Sequence, residues 1–321
     1  MAEKDVLYIV VPCYNEEEVL HETTKRLTDK LNRMIAAKLI SENSRIAYVN
    51  DGSKDRTWEI IEELHKENKF VNGIKLSRNR GHQNALLGGL MTVKDHCDMA
   101  ISMDADLQDD IEVLDEFVRK YENGCHVVYG VRSARKKDTF FKKHTAQAFY
   151  KMMSAMGVDI VYNHADYRLL SNRALHELEN YKEVNLFLRG IVPLIGFKSD
   201  IVTYERNERF AGESKYPLKK MLSFAFDGIT SFSIKPIRMI TGLGFFVFFI
   251  SLVLLIYSIV GHILGNTSPG WTSLITSIWA LGGLQLLAIG VVGEYVGKVY
   301  MESKARPRFI IEKFLKNGED E

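Results

Sequence analysis

Hydrophobic positions fall into two regimes along the chain. Through about residue 200 they come in short bursts. Residues 6–12 form an apolar, β-branched run, which predicts a buried strand, and residues 17–36 carry apolar positions at helical spacing. The alternation repeats, with strands predicted over 45–49, 73–76, 98–103 and 126–131 and helices over 57–67, 84–95 and 111–122. Strands alternating with helices predict an α/β fold built on a mostly parallel sheet covered on both faces.

The second regime is continuous. Residues 239–264 contain no Lys, Arg, Asp or Glu and reach about 39 Å as a helix, enough to cross a hydrocarbon core of about 30 Å with some tilt. Residues 271–293 form a second uncharged run, roughly 34 Å long, and an uncharged Gly/Pro-containing turn over 265–270 joins the two. Lys219, Lys220, Lys235 and Arg238 precede the pair, and Lys298, Lys304, Arg306, Arg308 and Lys313 follow it. The turn carries no cation, so the expected topology is a transmembrane hairpin with both termini cytoplasmic, in an integral protein of the plasma membrane. A soluble core hairpin is the alternative. Residues 216–234 mix apolar positions at helical spacing with lysines, as an interfacial amphipathic helix does, or a core helix of the soluble domain. The expected division is a cytoplasmic domain over 1–215, an interfacial region over 216–235, two spans within 236–298 and a cytoplasmic tail over 299–321. Charges at Glu3, Lys4 and Asp5 argue against a signal peptide.

Composition narrows the classes. Lys and Arg number 42 against 41 Asp and Glu, a net charge of +1, which argues against a nucleic-acid-coating protein. Three cysteines without a CxxC make neither a disulfide framework nor a zinc site and fit a reducing compartment.

In open α/β sheets, ligands bind outside the carboxyl ends of the strands. Polar residues gather there after all five predicted strands: Tyr14, Asn15 and Glu16; Asn50-Asp-Gly-Ser-Lys-Asp55; Ser77-Arg-Asn-Arg-Gly-His82; Asp104-Ala-Asp-Leu-Gln-Asp109; and Arg132. No GxGxxG follows the first strand and no GxxxxGK[ST] occurs, so a dinucleotide dehydrogenase or P-loop NTPase is not indicated. Asp104 and Asp106 can share a hard cation such as Mg²⁺ or Mn²⁺ with a diphosphate; helix capping is the plainer alternative. Asp51 can accept from a base or ribose, or form an Asx turn. Arg78, Arg80 and His82 can face phosphates or solvent. Asp166, between His164 and Arg168, can stand near a reacting sugar or make a structural ion pair. Arg206, Arg209, Ser214 and Lys215 lie just before the amphipathic segment, where cations meet a lipid phosphate or anionic lipid in general.

Val11-Pro-Cys-Tyr-Asn-Glu16, Val49-Asn-Asp-Gly-Ser-Lys-Asp55, the Asp104–Asp109 run and Asp166-Tyr-Arg168 resemble the GT-A family 2 glycosyltransferases. More narrowly, with Gly212-Glu-Ser-Lys-Tyr216, the two uncharged runs and Gly293-Glu-Tyr-Val-Gly-Lys298, the chain is similar to polyprenyl-phosphate glycosyltransferases, relatives of dolichyl-phosphate mannose synthase, in the bacterial undecaprenyl-phosphate glucosyltransferase branch. The QxxRW motif of processive synthases is absent, since Trp58, Trp271 and Trp279 never follow an Arg. The resemblance implies that Pro12, Tyr14, Glu16, Asp51 and Arg78 cradle the nucleotide sugar. Asp104 and Asp106 hold the donor and its Mg²⁺ or Mn²⁺, with Gln108 a further metal ligand, and Asp166 occupies the position of the catalytic base. Arg132, Arg206, Ser214 and Lys215 meet the acceptor phosphate. The implied reaction is an inverting transfer of one sugar, UDP-glucose being the first choice of donor, to polyprenyl phosphate. UDP-GlcNAc, UDP-GalNAc or GDP-mannose as donor, a lipid hydroxyl as acceptor, and a non-catalytic adaptor are the alternatives. The implied partners are the membrane, a separate flippase and further copies of the chain in a tetramer, with no nucleic acid.

Overall fold

The computed structural model describes residues 4–133, 164–184, 186–205, 235–264, 270–317 and 319–320. Its first unit is a nine-stranded sheet. The strands are β1 (Leu7–Cys13), β2 (Arg45–Asn50), β3 (Val71–Leu76), β4 (Met99–Ser102), β5 (Val127–Arg132), β6 (His164–Ser171), β7 (Ser199–Tyr204), β8 (Ile311–Lys316) and β9 (Glu319–Asp320), in the order β7-β5-β6-β4-β1-β2-β3-β8-β9. The helices between them are α1 (Leu20–Ala36), α2 (Thr57–Glu67), α3 (His82–Val93), α4 (Leu114–Glu122), α5 (Asn172–Glu179) and α6 (Leu188–Leu194).

The short apolar bursts become strands because they are buried on both faces: all seven residues of β1 are buried. Helix α1 turns Leu20, Leu27, Leu31 and Met34 inward, and α2 turns Ile60, Ile61 and Leu64 the same way. Truncating a fully buried leucine such as Leu27 to alanine costs about 2–5 kcal/mol. Helix α3 has little polar face, and its backbone lies close on the sheet. A Cβ on Gly89 would come within 2.5 Å of Val49 and 2.6 Å of Val10.

β1 to β4 are mutually parallel, as the alternation predicts. The structure adds an antiparallel strand. β6 inserts between β4 and β5, with Ser102 opposite Arg168 and Val131 opposite His164. Running against its neighbours, β6 begins at the edge where β4 and β5 end, so Asp166 joins the carboxyl ends of the other strands. A second addition is β8, which pairs antiparallel with β3, Leu76 standing opposite Ile311. The segment set apart by the sequence as a tail therefore belongs partly to the sheet. Lys75–Glu312 (2.7 Å) and Lys313–Glu62 (3.0 Å) flank it, and Arg308 donates to the Tyr181 carbonyl at 2.9 Å. Cys13, Cys97 and Cys125 are buried free thiols.

The second unit contains two long helices, α7 (Lys235–Ile263) and α8 (Trp271–Ser303), which cover the two uncharged runs except for Leu264. Helix α8 continues ten residues beyond the end of its run at Gly293. Among the described residues one stretch, Leu281–Ser303, is long and apolar enough to cross a membrane, and Leu286, Ile289 and Val296 on it are exposed. The proposed interfacial helix over 216–234 and the turn residues 265–269 lie outside the described residues.

Candidate active site

The carboxyl edge of the sheet is built in three stretches. Beneath the first lie β1, β2 and β3. Pro12 pairs opposite Val49 within β1, and Tyr14 stands 42 % exposed at the lip. Asn15, in left-handed backbone, takes a bond from the Lys54 amide on its side chain (2.9 Å) and donates its own amide to the Ser53 hydroxyl (3.1 Å). The Glu16 amide donates to the Thr57 hydroxyl at 2.9 Å. The loops after β1 and β2 are thus laced by side chain–backbone bonds.

Asp51 ties in the loop after β3, its carboxylate accepting from the Arg80 amide at 2.6 Å and the Gly81 amide at 2.9 Å. Burial raises its carboxyl above the ordinary value, and these two amides oppose the shift. Gly52 is required beside it. It has φ +63°, and a Cβ there would meet the Asn79 nitrogen at 2.5 Å. Arg78 is exposed on the loop so held.

The middle stretch follows β4. Ala105 and Leu107 are buried, and the Ala105 carbonyl accepts from the Thr23 hydroxyl at 2.9 Å. The alternation leaves Asp104 and Asp106 partly exposed between buried anchors. The Asp106 carboxylate accepts from the Gln108 amide at 3.2 Å, and Gln108 itself is buried. No group of three or more His, Cys, Asp or Glu able to hold a metal ion occurs among the described residues. That donor set fits Mg²⁺ or Mn²⁺, which take one or two protein oxygens and complete their shell with substrate phosphate and water. Asp106 and Gln108 would hold such an ion, which when bound supplies positive charge to a diphosphate.

The third stretch lies over β5, β6 and β7 and is dense in paired charge. Buried Asp109 accepts from the Tyr204 hydroxyl at 2.5 Å and lies 3.6 Å from the Arg132 guanidinium, while its other oxygen has no hydrogen-bond partner among the described residues. Burial, then the neighbouring Asp104 charge, push its carboxyl up to about 6, against the pull of Tyr204 and Arg132. Asp166 bonds the buried Arg168 guanidinium and takes a two-point fork from Arg189, at 3.3 Å to Oδ1 and 3.0 Å to Oδ2. Burial alone would raise the Asp166 carboxyl. The Arg189 and Arg168 charges, with His82 beside them, hold it well below the usual carboxylate range. His82 Nε2 lies 3.6 Å from Asp104 and 3.7 Å from Asp166, so the middle and third stretches form one site.

Of the residues singled out in the sequence, Pro12, Tyr14, Glu16, Asp51, Arg78, Asp104, Asp106, Gln108, Arg132 and Asp166 all lie along this edge. Arg206, Ser214 and Lys215 lie outside the described residues. Sequence reasoning missed Arg189 and Tyr204 and gave Asp109 no role. Arg189 sits in Phe187-Leu-Arg-Gly190, where no spacing or motif singles it out.

Carboxylates flanked by guanidinium groups thus lie at the carboxyl edge of a mostly parallel sheet of GT-A type. The chain belongs to glycosyl transferase family 2, whose model matches residues 8–179, and it is a glycosyltransferase. It is 58% identical to the uncharacterised glycosyltransferase YkoT of Bacillus subtilis (strain 168), covering 97% of this chain and 93% of that one. It is 38% identical to the bactoprenol glucosyl transferase of Shigella phage SfX, covering 94% of this chain and 97% of the relative. Among solved structures, glucosyl-3-phosphoglycerate synthase from Mycobacterium tuberculosis is similar at 14% identity and a TM-score of 0.43, covering 71% of this chain and 79% of that one.

Proposed function

We propose that the protein transfers one glucose from UDP-glucose to undecaprenyl phosphate at the cytoplasmic face of the plasma membrane, using Mg²⁺ or Mn²⁺. The observation that carries this reading is the extent of the likeness to bactoprenol glucosyl transferases. It spans 94% of this chain and 97% of the relative, through the helical pair and well beyond the family domain ending at residue 179. The chain's course supports the membrane topology: β7 precedes the two helices, β8 follows them, and both belong to one sheet. A hairpin with its outer ends on one side satisfies that connection, and the cations flanking it support a cytoplasmic side by the positive-inside rule.

In this reading Pro12, Tyr14, Glu16, Asp51 and Arg78 receive the nucleotide, and Asp104, Asp106 and Gln108 meet the diphosphate and its cation. An oxygen of the acceptor phosphate bonds to the anomeric carbon from the face opposite UDP. The bond from that carbon to the UDP oxygen breaks, and its electron pair leaves with UDP. Near neutral pH the acceptor phosphate is mostly dianionic, its second pKa being about 6, so no proton has to be removed. A carboxylate held as far below the ordinary range as Asp166 is a poor proton acceptor, and its role is to orient the guanidinium groups around it. Arg132, with Arg206, Ser214 and Lys215, adds positive charge where two anionic substrates meet.

The test is a transfer assay with the full chain in detergent, undecaprenyl phosphate, Mg²⁺ or Mn²⁺ and radiolabelled nucleotide sugars offered singly. Metal-dependent label in the lipid phase from UDP-glucose, lost in Asp106→Ala, is the expected result. Label from another donor corrects the sugar, label on diacylglycerol corrects the acceptor, and no transfer to any lipid overturns the reading.

A further inference from the structure

His82, the first residue of α3, stands between two halves of the site. Its Nε2 lies 3.6 Å from the carboxylate of Asp104, which follows β4, and 3.7 Å from that of Asp166 on the neighbouring β6. Both separations exceed hydrogen-bond length, and among the described residues the imidazole makes no hydrogen bond. The side chain is 41% exposed.

The backbone that carries it is fixed on both sides. Ahead of it, the Arg80 and Gly81 amides donate to Asp51 at 2.6 and 2.9 Å, and Gly81, at φ +83°, turns the chain into the helix. Behind it, the Gln83 side-chain oxygen accepts from the Leu188 amide at 2.8 Å, and the Asn84 side-chain nitrogen donates to the Arg80 carbonyl at 2.9 Å. An imidazole mounted this firmly, with its hydrogen-bonding capacity unspent, is organised for a group that arrives with the substrate.

Its position indicates which group. In the proposed reaction Asp104 meets the donor's diphosphate, and Asp166 with its arginines stands on the acceptor's side. The hexose is bonded to the first and attacked from the second, so a side chain lying against both carboxylates lies against the hexose. Two carboxylates beside Nε2 disfavour a bare phosphate oxygen there and favour hydroxyls, which donate to carboxylates and exchange hydrogen bonds with an imidazole.

We infer that His82 is a binding residue for the transferred sugar, bonding one of its hydroxyls through Nε2 and so helping to set which hexose is accepted. The inference rests on the proposed transfer from UDP-glucose.

The experiment measures Kd for UDP-glucose and for UDP in the wild type, His82→Ala and His82→Gln, with the full chain in detergent and Mg²⁺ present. It is repeated with UDP-linked monodeoxyglucoses, each lacking one hydroxyl. Circular dichroism checks folding, and His82→Asn, too short to reach the hydroxyl, replaces His82→Ala if the latter does not fold. His82→Ala is expected to weaken UDP-glucose by about 3- to 10-fold, the worth of one hydrogen bond, and UDP by less than about twofold. His82→Gln, whose amide reaches the place of Nε2, is expected to recover part of the loss. One deoxy donor is expected to bind the wild type and His82→Ala equally, which names the hydroxyl. A loss of UDP affinity as large as that of UDP-glucose, no loss of either, or deoxy donors that all keep their sensitivity to His82→Ala, overturns the inference. Failure of the wild type to transfer glucose from UDP-glucose overturns the proposed function instead.

Discussion

The two ends of the reactive edge are built on opposite principles. Over β1, β2 and β3, carboxylate and hydroxyl oxygens accept from backbone amides: Asp51 from Arg80 and Gly81, Ser53 from Asn15, Thr57 from Glu16. Over β5, β6 and β7, carboxylates meet guanidinium groups, Asp166 with Arg168 and Arg189 and Asp109 with Arg132. The amide-built end fixes loop shape, and in the proposed reaction it receives the nucleotide. The ion-paired end fixes charge, and in that reaction it lies where the two anions meet.

The contrast is sharpest at Asp166. Asp166→Ala strands the buried Arg168 charge, and removing one partner of a buried pair costs about 3–5 kcal/mol. Urea unfolding is expected to show that loss, and a shift under 1 kcal/mol would mean the pair is not what holds this end. Asp109→Asn comes next and depends on pH. The native carboxyl at about 6 lies above the ordinary 3.8, so the folded protein binds the extra proton between those values and loses stability as pH rises through them. Above pH 6 the loss levels off at about 3 kcal/mol, an upper bound. Relative to wild type, Asp109→Asn in EDTA is expected to gain stability from pH 4 to pH 6 and no further. A pH-independent difference between the two would refute the burial of that charge.

The amide-built end gives smaller effects of another kind. Asp51→Ala leaves two loop amides without their acceptor, about 1–3 kcal/mol, and is expected to raise donor KM while kcat at saturating donor holds. A matching rise in acceptor KM would erase the distinction between the two ends. Gly52→Ala, with φ +63° and a crowded Cβ, costs at least the 1–2 kcal/mol of left-handed backbone and weakens the donor with it. Smallest is the exposed Lys4–Glu122 pair, where Glu122→Gln is expected to change stability by under about 1 kcal/mol and transfer not at all.

Legibility in the sequence followed the same divide. The parallel core was readable because residues buried on both faces leave unbroken apolar runs. Predicted helix 57–67 coincides with Thr57–Glu67, and β1 differs from its prediction by one residue at each end. The polar loops after these strands could be placed at the carboxyl edge for the same reason. β6 was not readable as a strand because Asp166-Tyr-Arg168 carries charges into the sheet, Arg168 at a buried position, and they are tolerated through each other and, for Asp166, through Arg189 on another segment. Arg189 was silent for that reason too, since its meaning depends on Asp166, 23 residues away in sequence. β8, an Ile/Phe/Leu strand with charges at Glu312, Lys313 and Lys316, reads like any amphipathic tail until β3 supplies an edge for it.

That last strand sets an order on how the protein is made. The chain leaves one rim of the sheet at β7, passes through both long helices, and returns at β8 on the far side of β3. A ribosome delivers β8 only after every residue of the helices has been synthesised, so until then β3 is a bare edge with unpaired amides and carbonyls. Whatever number of times the helices cross a bilayer, that number has to be even, or β8 would be stranded in the wrong compartment. In the proposed membrane topology, a chain threaded an odd number of times would leave that edge of β3 open, a template for aggregation.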